Sequence, residues 1–407
     1  MNELLFKLKR TIDWASKSSF YKQKLIKAGL DGVDVKSLEY FSKFPPITSQ
    51  DMREYSMDFP SISRENLYSL YASGGTTGKP KLMYYTEEAL EAVALATSKG
   101  LERIFPDLKG RLAILIVPAD NLAAVGEYTK RALRNLHAFS GSMGLTFTSE
   151  QIKELVDVMA EEKPYLVIGN PARLMKLIND IISYNIDPKK LGIQFVLSTS
   201  EALTDKTRRF IIDSFGAKVY QGGGMTEVGW SSMEGPSANG QHILDNVYAE
   251  VLDLKSGQLI TEGVGELYLT TLINPAYPLV RYKTEDIVKI TSVPQDGIDI
   301  PRIWYKCRIS EKISFGDNEV YAYQIDAALE SIKEVTAVFS LSFNGNDFFL
   351  KIETEKESQK ESVKRKVLDK ILLFIPEIHM LKVELVDVET LERSPRGKVK
   401  NRMINKS

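Results

Sequence analysis

"PYLVIGNPARLMKLINDIISYNIDPKKLGIQFVLS" (164–198) holds two short apolar runs, 164–169 and 193–198, on either side of a segment in which Leu174, Leu177 and Ile181 recur at helical spacing. Apolar residues that run on without alternation suit a strand buried on both faces, and a helix between two such strands makes a βα unit of a parallel sheet. The same texture appears upstream in "RLAILIVPA" (111–119) and downstream in "AKVYQ" (217–221), with "TDKTRRFIIDSFG" (204–216) as a second helix-like stretch. From about 241 to 306 the pattern changes to short strands and turn residues, as in "GVGELYLTTL" and "LVRYKTEDIVKI". After about 310 a compact unit follows. Ile325, Leu329 and Ile332 form one helical face, Asn344-Gly345 signals a two-residue hairpin turn, a charged amphipathic helix covers about 356–374, and a strand covers 381–388. The sequence therefore predicts an α/β fold. Residues 1–307 form a large N-terminal domain with βα-alternating sheets plus a β-rich subdomain, and 308–407 form a small, mobile C-terminal α+β lid.

Composition narrows the function classes. The 407 residues are 43% hydrophobic and 26% charged, with a formal net charge of −1. A balance so near zero argues against nucleic acid or an anionic membrane as partner. Cys307 is the single cysteine, which excludes an intrachain disulfide and fits a reducing compartment. His137, His242 and His379 are too scattered for a Cys/His zinc site. The N-terminal stretch is broken by charges, unlike a signal peptide, and "LAILIVPA" (112–119) is far too short to span a bilayer. The expectation is a cytoplasmic protein; homodimerisation stays open.

The stretch "SGGTTGKPK" (73–81) cannot pack a core. Gly74, Gly75 and Gly78 let backbone N–H groups approach a ligand closely, Ser73, Thr76 and Thr77 add hydroxyls, and Lys79 adds a positive charge. A Walker A loop would need glycine where Ser73 stands and Ser or Thr where Pro80 follows Lys79, so a P-loop NTPase is disfavoured. A mobile surface loop and a polyphosphate cradle both fit these nine residues. Three other segments add to the loop. "QGGGMTE" (221–227) follows a strand, at the carboxyl end of a sheet where α/β proteins place ligands; its glycines would admit a bulky ligand, and Glu227 could hold a divalent cation. "PLVRYKTEDIVKI" (278–290) sets Asp286 at a strand edge, and "ERSPRGKVKNRM" (392–403) carries Lys398 directly after Gly397.

In this order the four segments resemble the adenylate-forming superfamily of acyl- and aryl-CoA ligases, adenylation domains and luciferase. "FYKQKLIKAGLDGVDVKSLEYFSKFPPITSQDMREY" (20–55) is similar to the phenylacetate-CoA ligase branch. The resemblance implies that Ser73, Gly74, Gly75, Thr76, Thr77, Gly78 and Lys79 fold over the ATP β- and γ-phosphates. It implies that Ser200, Glu201 and Ala202 border adenine, together with the strand end Gly223, Gly224 and Met225. Thr226 would lie near the α-phosphate, Glu227 on Mg²⁺, Asp286 on the ribose, Arg308 on the ribose or a phosphate, and Lys398 would be the catalytic lysine of the lid. The implied activity is ATP-dependent activation of an aromatic or arylacetic acid as acyl-adenylate, then transfer to coenzyme A. The acyl pocket would draw on Asn121–Tyr128, on 169–174 and on the residues before Glu227.

The sequence also departs from that pattern. Gly223 stands where the family has an aromatic residue that stacks on adenine, Glu285 replaces the glycine of "RTGD", and the hinge falls on Ser310 and Glu311 in "CRISE". The altered hinge leaves open a carrier-protein phosphopantetheine thiol or an amine as acceptor. Gly223 leaves open a nucleotide-binding relative without ligase activity.

Overall fold

The computed structural model describes residues 2–30, 35–73, 79–117, 122–144, 148–336, 338–354, 361–388, 390–392 and 402–405. Strands β1 (Ser69–Ser73) and β2 (Lys81–Tyr85) form an antiparallel hairpin whose base pairs Ser73 with Lys81. The stretches read as buried strands are β3 (Leu112–Ile116), β5 (Leu166–Gly169), β6 (Phe195–Ser198) and β7 (Lys218–Met225), with β4 (Phe139–Met143) added at the edge. All five run parallel, and every residue of β3 and β5 is buried.

The β-rich part is built from β8 (Gly229–Glu234), β9 (Gln241–Ile243), β10 (Val247–Asp253), β11 (Leu259–Ile260), β12 (Gly263–Thr271), β13 (Tyr282–Thr291) and β14 (Arg302–Arg308). It continues the parallel sheet rather than standing apart. The order is β11-β10-β12-β13-β14-β9-β8-β7-β6-β5-β3-β4. The seam is β7, parallel to β6 on one edge and antiparallel to β8 on the other. A parallel neighbour needs a crossover helix, whereas an antiparallel one needs only a tight turn, so the chain changes sheet type at the hairpin that holds Glu227.

The N-terminal segment is pinned to the antiparallel half. The buried Arg281 guanidinium donates to the Glu250 carboxylate at 3.0 Å and to the carbonyls of Phe44, at 2.8 Å, and Ser42. The Tyr21 hydroxyl accepts the Val280 N–H at 2.9 Å.

By compactness the chain divides into two units. The first comprises 1–170, 189–201 and 217–305; the second takes 306–407 together with 171–188 and 202–216. Within the second unit a hairpin of β15 (Lys312–Phe315) and β16 (Asn318–Tyr321) precedes a four-stranded sheet. Its order is β19-β18-β17-β20, built from β17 (Phe339–Phe343), β18 (Phe348–Thr354), β19 (Leu381–Asp387) and β20 (Met403–Asn405). Ile325, Leu329 and Ile332 are buried in its core, as their spacing predicts, beside Phe339, Val367 and Ile371. The β17–β18 connection corrects the expected two-residue turn. Phe343 pairs with Phe348, leaving 344–347 as the loop, because the Asn344 side chain accepts the N–H groups of Asn346 and Asp347 and widens it. No helix among the described residues is long and apolar enough to cross a membrane.

The helix Asp205–Phe215 joins the second unit through its first turn. The Lys206 ammonium donates to the carbonyls of Ile332 and Val335, and the Asp205 and Glu330 carboxyls share a hydrogen bond. That bond and burial push the Glu330 carboxyl up from 4.5 to about 7. Folding therefore takes up a proton between these values, and stability falls as pH rises through that window. We expect Glu330→Gln, which keeps the bond without the charge, to be more stable than wild type at pH 8 by on the order of 1 kcal/mol after solvent screening, and equal to it near pH 4.5. Urea denaturation of both proteins at the two pH values checks this.

Candidate active site

Glu227 lies in the β7–β8 turn, where Met225 pairs with Gly229. The turn is held from three sides. Asn246 donates to the carbonyls of Val228 and Trp230 at 2.9 and 2.8 Å, Trp230 donates to Thr129 at 2.9 Å, and the buried Tyr85 hydroxyl reaches the carbonyls of Thr226 and Glu227 at 3.4 Å. Glu227 is itself only 4% exposed. Its Oε1 accepts a hydrogen bond from Ser73 Oγ at 3.1 Å and an ion pair from Lys81 Nζ. Ser73 and Lys81 are the two residues that face each other across the base of the β1–β2 hairpin. The glycine-rich connection, Gly74–Gly78, lies outside the described residues, but both of its ends meet on this carboxylate.

The sequence reading missed Lys81 and named Lys79, which is exposed. The hairpin register separates them: Lys81 begins β2 opposite Ser73, whereas Lys79 lies before the strand and has no partner position in it. Lys81 also donates to the Tyr282 hydroxyl at 3.0 Å, and Tyr282 in turn meets Ser49 at 3.0 Å. Tyr282 follows Arg281, the anchor of the N-terminal segment, and Lys81 also donates to Ser49 Oγ at 3.5 Å, so the fold of residues 42–49 reaches the site both through this phenol and directly. Burial alone would push the Glu227 carboxyl up; the Lys81 ammonium and the Ser73 hydroxyl outweigh it and hold the group below its ordinary value. Burial would lower Lys81, but Glu227 and Tyr282 raise it. Both partners are therefore charged at neutral pH. Behind the turn, the phenols of Tyr71, Tyr85 and Tyr128 are pushed up by burial and stay neutral, which leaves an aromatic wall beside Glu227.

The triple glycine has a different cause from the one expected. A Cβ on Gly222 would lie 2.3 Å from the Trp230 ring, one on Gly223 2.3 Å from the Tyr305 ring, and one on Gly224 2.7 Å from the Gly229 carbonyl. The bulk these glycines admit is the protein's own. Tyr305, on β14, supplies an aromatic ring over the place of the missing one, with its hydroxyl 3.3 Å from Ser231 Oγ. Glu285 adopts φ 64°, the left-handed region that favours glycine, so the substitution leaves the backbone shape and adds strain. A register shift between Glu266 and Tyr268 accompanies it. Asp286 stands within β13 and not at a strand edge, since β12 and β14 flank it; its N–H donates to Thr284 Oγ1 at 3.1 Å.

Ser200, φ 69°, and Glu201 follow β6 in the first unit, where the Glu201 carbonyl accepts from Gln221 at 2.9 Å and ties this turn to β7. Ala202, Arg308, Ser310 and Glu311 belong to the second unit. Ser310 and Glu311, the expected hinge, lie in a turn between β14 and β15, closed by the Glu311 N–H on the Arg308 carbonyl at 2.9 Å. Of the residues expected to line an acyl pocket, Tyr128 is buried in the helix Val125–Asn135 and Asn121 lies outside the described residues; Lys398 lies outside them too.

The parallel half of the sheet ends at β7, which leads into a buried, ion-paired glutamate, and the sequence profile of one class of protein, AMP-binding enzyme, matches residues 22–272. The chain belongs to the AMP-binding enzyme family. It is similar to the phenylacetate-coenzyme A ligase of Pseudomonas putida, 24% identical over 376 residues that cover 85% of this chain and 80% of that one. The Thermus thermophilus phenylacetate-coenzyme A ligase is 25% identical over 362 residues, covering 82% and 76%. Among solved structures, a 2-hydroxyisobutyryl-CoA ligase in complex with R3-HIB-AMP superposes with a TM-score of 0.86 at 19% identity, over 98% of this chain and 88% of that one. That likeness establishes the shared α/β fold.

Proposed function

We propose that this chain is an ATP- and Mg²⁺-dependent acid–thiol ligase that converts an aromatic or arylacetic acid to its acyl-adenylate and then to the coenzyme A thioester. The observation that carries this reading is Glu227, buried and charged, at the meeting point of both ends of the Ser/Thr/Gly loop. The aromatic wall of Tyr71, Tyr85 and Tyr128 favours an aryl side chain on the acid. Residues 1–307 bind ATP and acid, 308–407 act as the lid, and the ATP and coenzyme A supply assigns the reaction to the cytoplasm.

In the first half-reaction a carboxylate oxygen bonds to the α-phosphorus and the bond to the bridging oxygen breaks, so pyrophosphate leaves. An anion attacks an anion, which makes charge neutralisation the main requirement. Among the described residues no group of three or more His, Cys, Asp or Glu gathers as a metal cage. One buried carboxylate suits Mg²⁺, which takes one or two carboxylates plus substrate phosphates and supplies neutralisation of phosphate charge. Glu227 would hold it. Ser73 and Lys81 fix the orientation of Glu227, the loop amides and Thr226 present donors to phosphate oxygens, and Lys398 supplies the second cation. Asp286 and Arg308 take the ribose.

Screening aryl and arylacetic acids for stimulated ATP–pyrophosphate exchange, then for CoA-dependent release of AMP, tests the proposal. Exchange with no acid of the panel would overturn it; exchange without CoA-dependent turnover would move the acceptor to a carrier-protein thiol or an amine. Tyr305 takes the adenine-facing role lost at Gly223. Tyr305→Ala should raise the KM for ATP about tenfold, the effect of losing one base–aromatic stack, with kcat little changed. Steady-state kinetics in ATP checks it.

A further inference from the structure

One guanidinium in the second unit joins three elements that the proposed reaction uses separately. Arg402 immediately precedes β20. Its Nη2 donates to Asp326 Oδ1 at 2.7 Å, on the helix Ala322–Leu329, and its Nη1 is 3.9 Å from Glu311 Oε1 in the hinge turn. The guanidinium carbon sits 4.3 Å from the centre of the Phe339 ring on β17, and the Arg402 carbonyl accepts the Leu341 N–H at 2.8 Å. Glu311 is held in its own right: its Oε2 accepts the Arg308 N–H at 2.9 Å and its carbonyl accepts the Ala322 N–H at 2.9 Å. Hinge turn, helix and C-terminal strand thus share one cation. Burial pushes the Asp326 carboxyl up and Arg402 opposes it, so the pair depends on both partners.

Lys398 stands four residues before Arg402. Four residues span at most about 14 Å even when fully extended, so the place of Arg402 bounds how far the lysine can reach. We infer that Arg402 is a positioning residue for adenylate formation: it anchors the segment bearing Lys398 to the hinge turn at Glu311. The inference rests on the proposed role of Lys398. A guanidinium fork can hold Asp326 and Glu311 at once, which an ammonium does less well, so a lysine at 402 restores the charge but only part of the geometry.

The test uses the full-length chain with Arg402→Gln, Arg402→Lys, Asp326→Asn and Lys398→Ala, and an acid found by the exchange screen. Two half-reactions are measured apart: acid-dependent pyrophosphate exchange, and thioester formation from synthetic acyl-adenylate and CoA. We expect Arg402→Gln to lower the kcat of exchange by about tenfold to a hundredfold, the cost of ångström-scale misplacement, with KM for ATP and the thioester step within about twofold. Arg402→Lys should recover part of the loss. Amide exchange of Met403–Asn405 should quicken in the Gln variant while β17 and β18 keep their protection. If Arg402→Gln does not fold, Asp326→Asn carries the test, with a smaller loss of the same kind. Unchanged pyrophosphate exchange, or equal loss in both half-reactions, overturns the inference and leaves Arg402 a stabiliser of its unit. Lys398→Ala separates the two levels: if that variant exchanges pyrophosphate normally, the lysine assignment fails; if it does not while Arg402→Gln does, the anchor alone fails.

Discussion

Lys398→Ala should lower acid-dependent pyrophosphate exchange by about three orders of magnitude, the upper range for removing one preorganised donor to developing charge, while ATP affinity stays within about threefold. The carboxylate nucleophile is already ionised and pyrophosphate is a competent leaving group, so little acid–base work is available for a residue to do. A side chain that matters must act on charge that develops between the attacking and departing oxygens. On the proposed reading ground-state ATP would be neutralised elsewhere, by the loop and by an ion held on Glu227, so its binding should not depend on the lysine. Thioester formation from preformed acyl-adenylate should survive, because in that step the thiol attacks the acyl carbon, AMP leaves by cleavage of the acyl carbon–oxygen bond, and no bond to the α-phosphorus forms or breaks. Isothermal titration with ATP and the two half-reaction assays give the three values. Equal exchange by variant and wild type would refute the assignment.

The second large effect is expected at Lys81. Its partner Glu227 is 4% exposed, and Lys81 is 12% exposed. Removing one member of a buried pair leaves the other charge without compensation, at a cost of about 3–5 kcal/mol. Lys81→Met should therefore lower the melting temperature by roughly 6–15 °C and abolish measurable exchange. The remaining carboxylate should titrate upward, since burial then acts on it without the ammonium. Glu227→Gln in the Lys81→Met background removes that orphan charge and should recover most of the stability, with no recovery of activity. A thermal melt of the single and double variants separates the two contributions. The sign with pH follows from the direction of the Glu227 shift: the pair's stabilisation is present above the unfolded carboxylate value of about 4.5 and is lost as pH falls through the lower folded value. A Lys81→Met protein as stable as wild type would show that the pair is not the centre of this site.

Neither Lys81 nor Arg402 stands out in the sequence, and the reasons differ. Lys79 and Lys81 have the same side chain and sit two positions apart in one nine-residue stretch. Only the hairpin register, Ser73 opposite Lys81, sends the second to the carboxylate. A hairpin closing on the glycine loop was the available signal, since the polar residue opening the following strand would then face Ser73. Arg402 lies in a run of basic residues that composition reads as a solvated tail; a strand of three residues beside β17 puts it against Asp326. Tyr305 and Gly223 are 82 positions apart, and nothing local to either announces that one ring fills the space of the other.

What the chain by itself determined is everything that depends on neighbours in sequence. Unbroken apolar runs at 112–116, 166–169 and 195–198 suit strands covered on both faces, helical spacing fills the gaps between them, and a glycine, serine and threonine cluster cannot be core. Tertiary structure decided what depends on partners far along the chain: that parallel and antiparallel halves fuse at β7, that Lys81 rather than Lys79 meets Glu227, and that Gly222 and Gly223 make room for the protein's own rings and Gly224 for its backbone. The physical division is one of range. Propensity and periodicity act over a few residues, whereas burial, ion pairing and close packing are settled only when the register of distant strands is fixed.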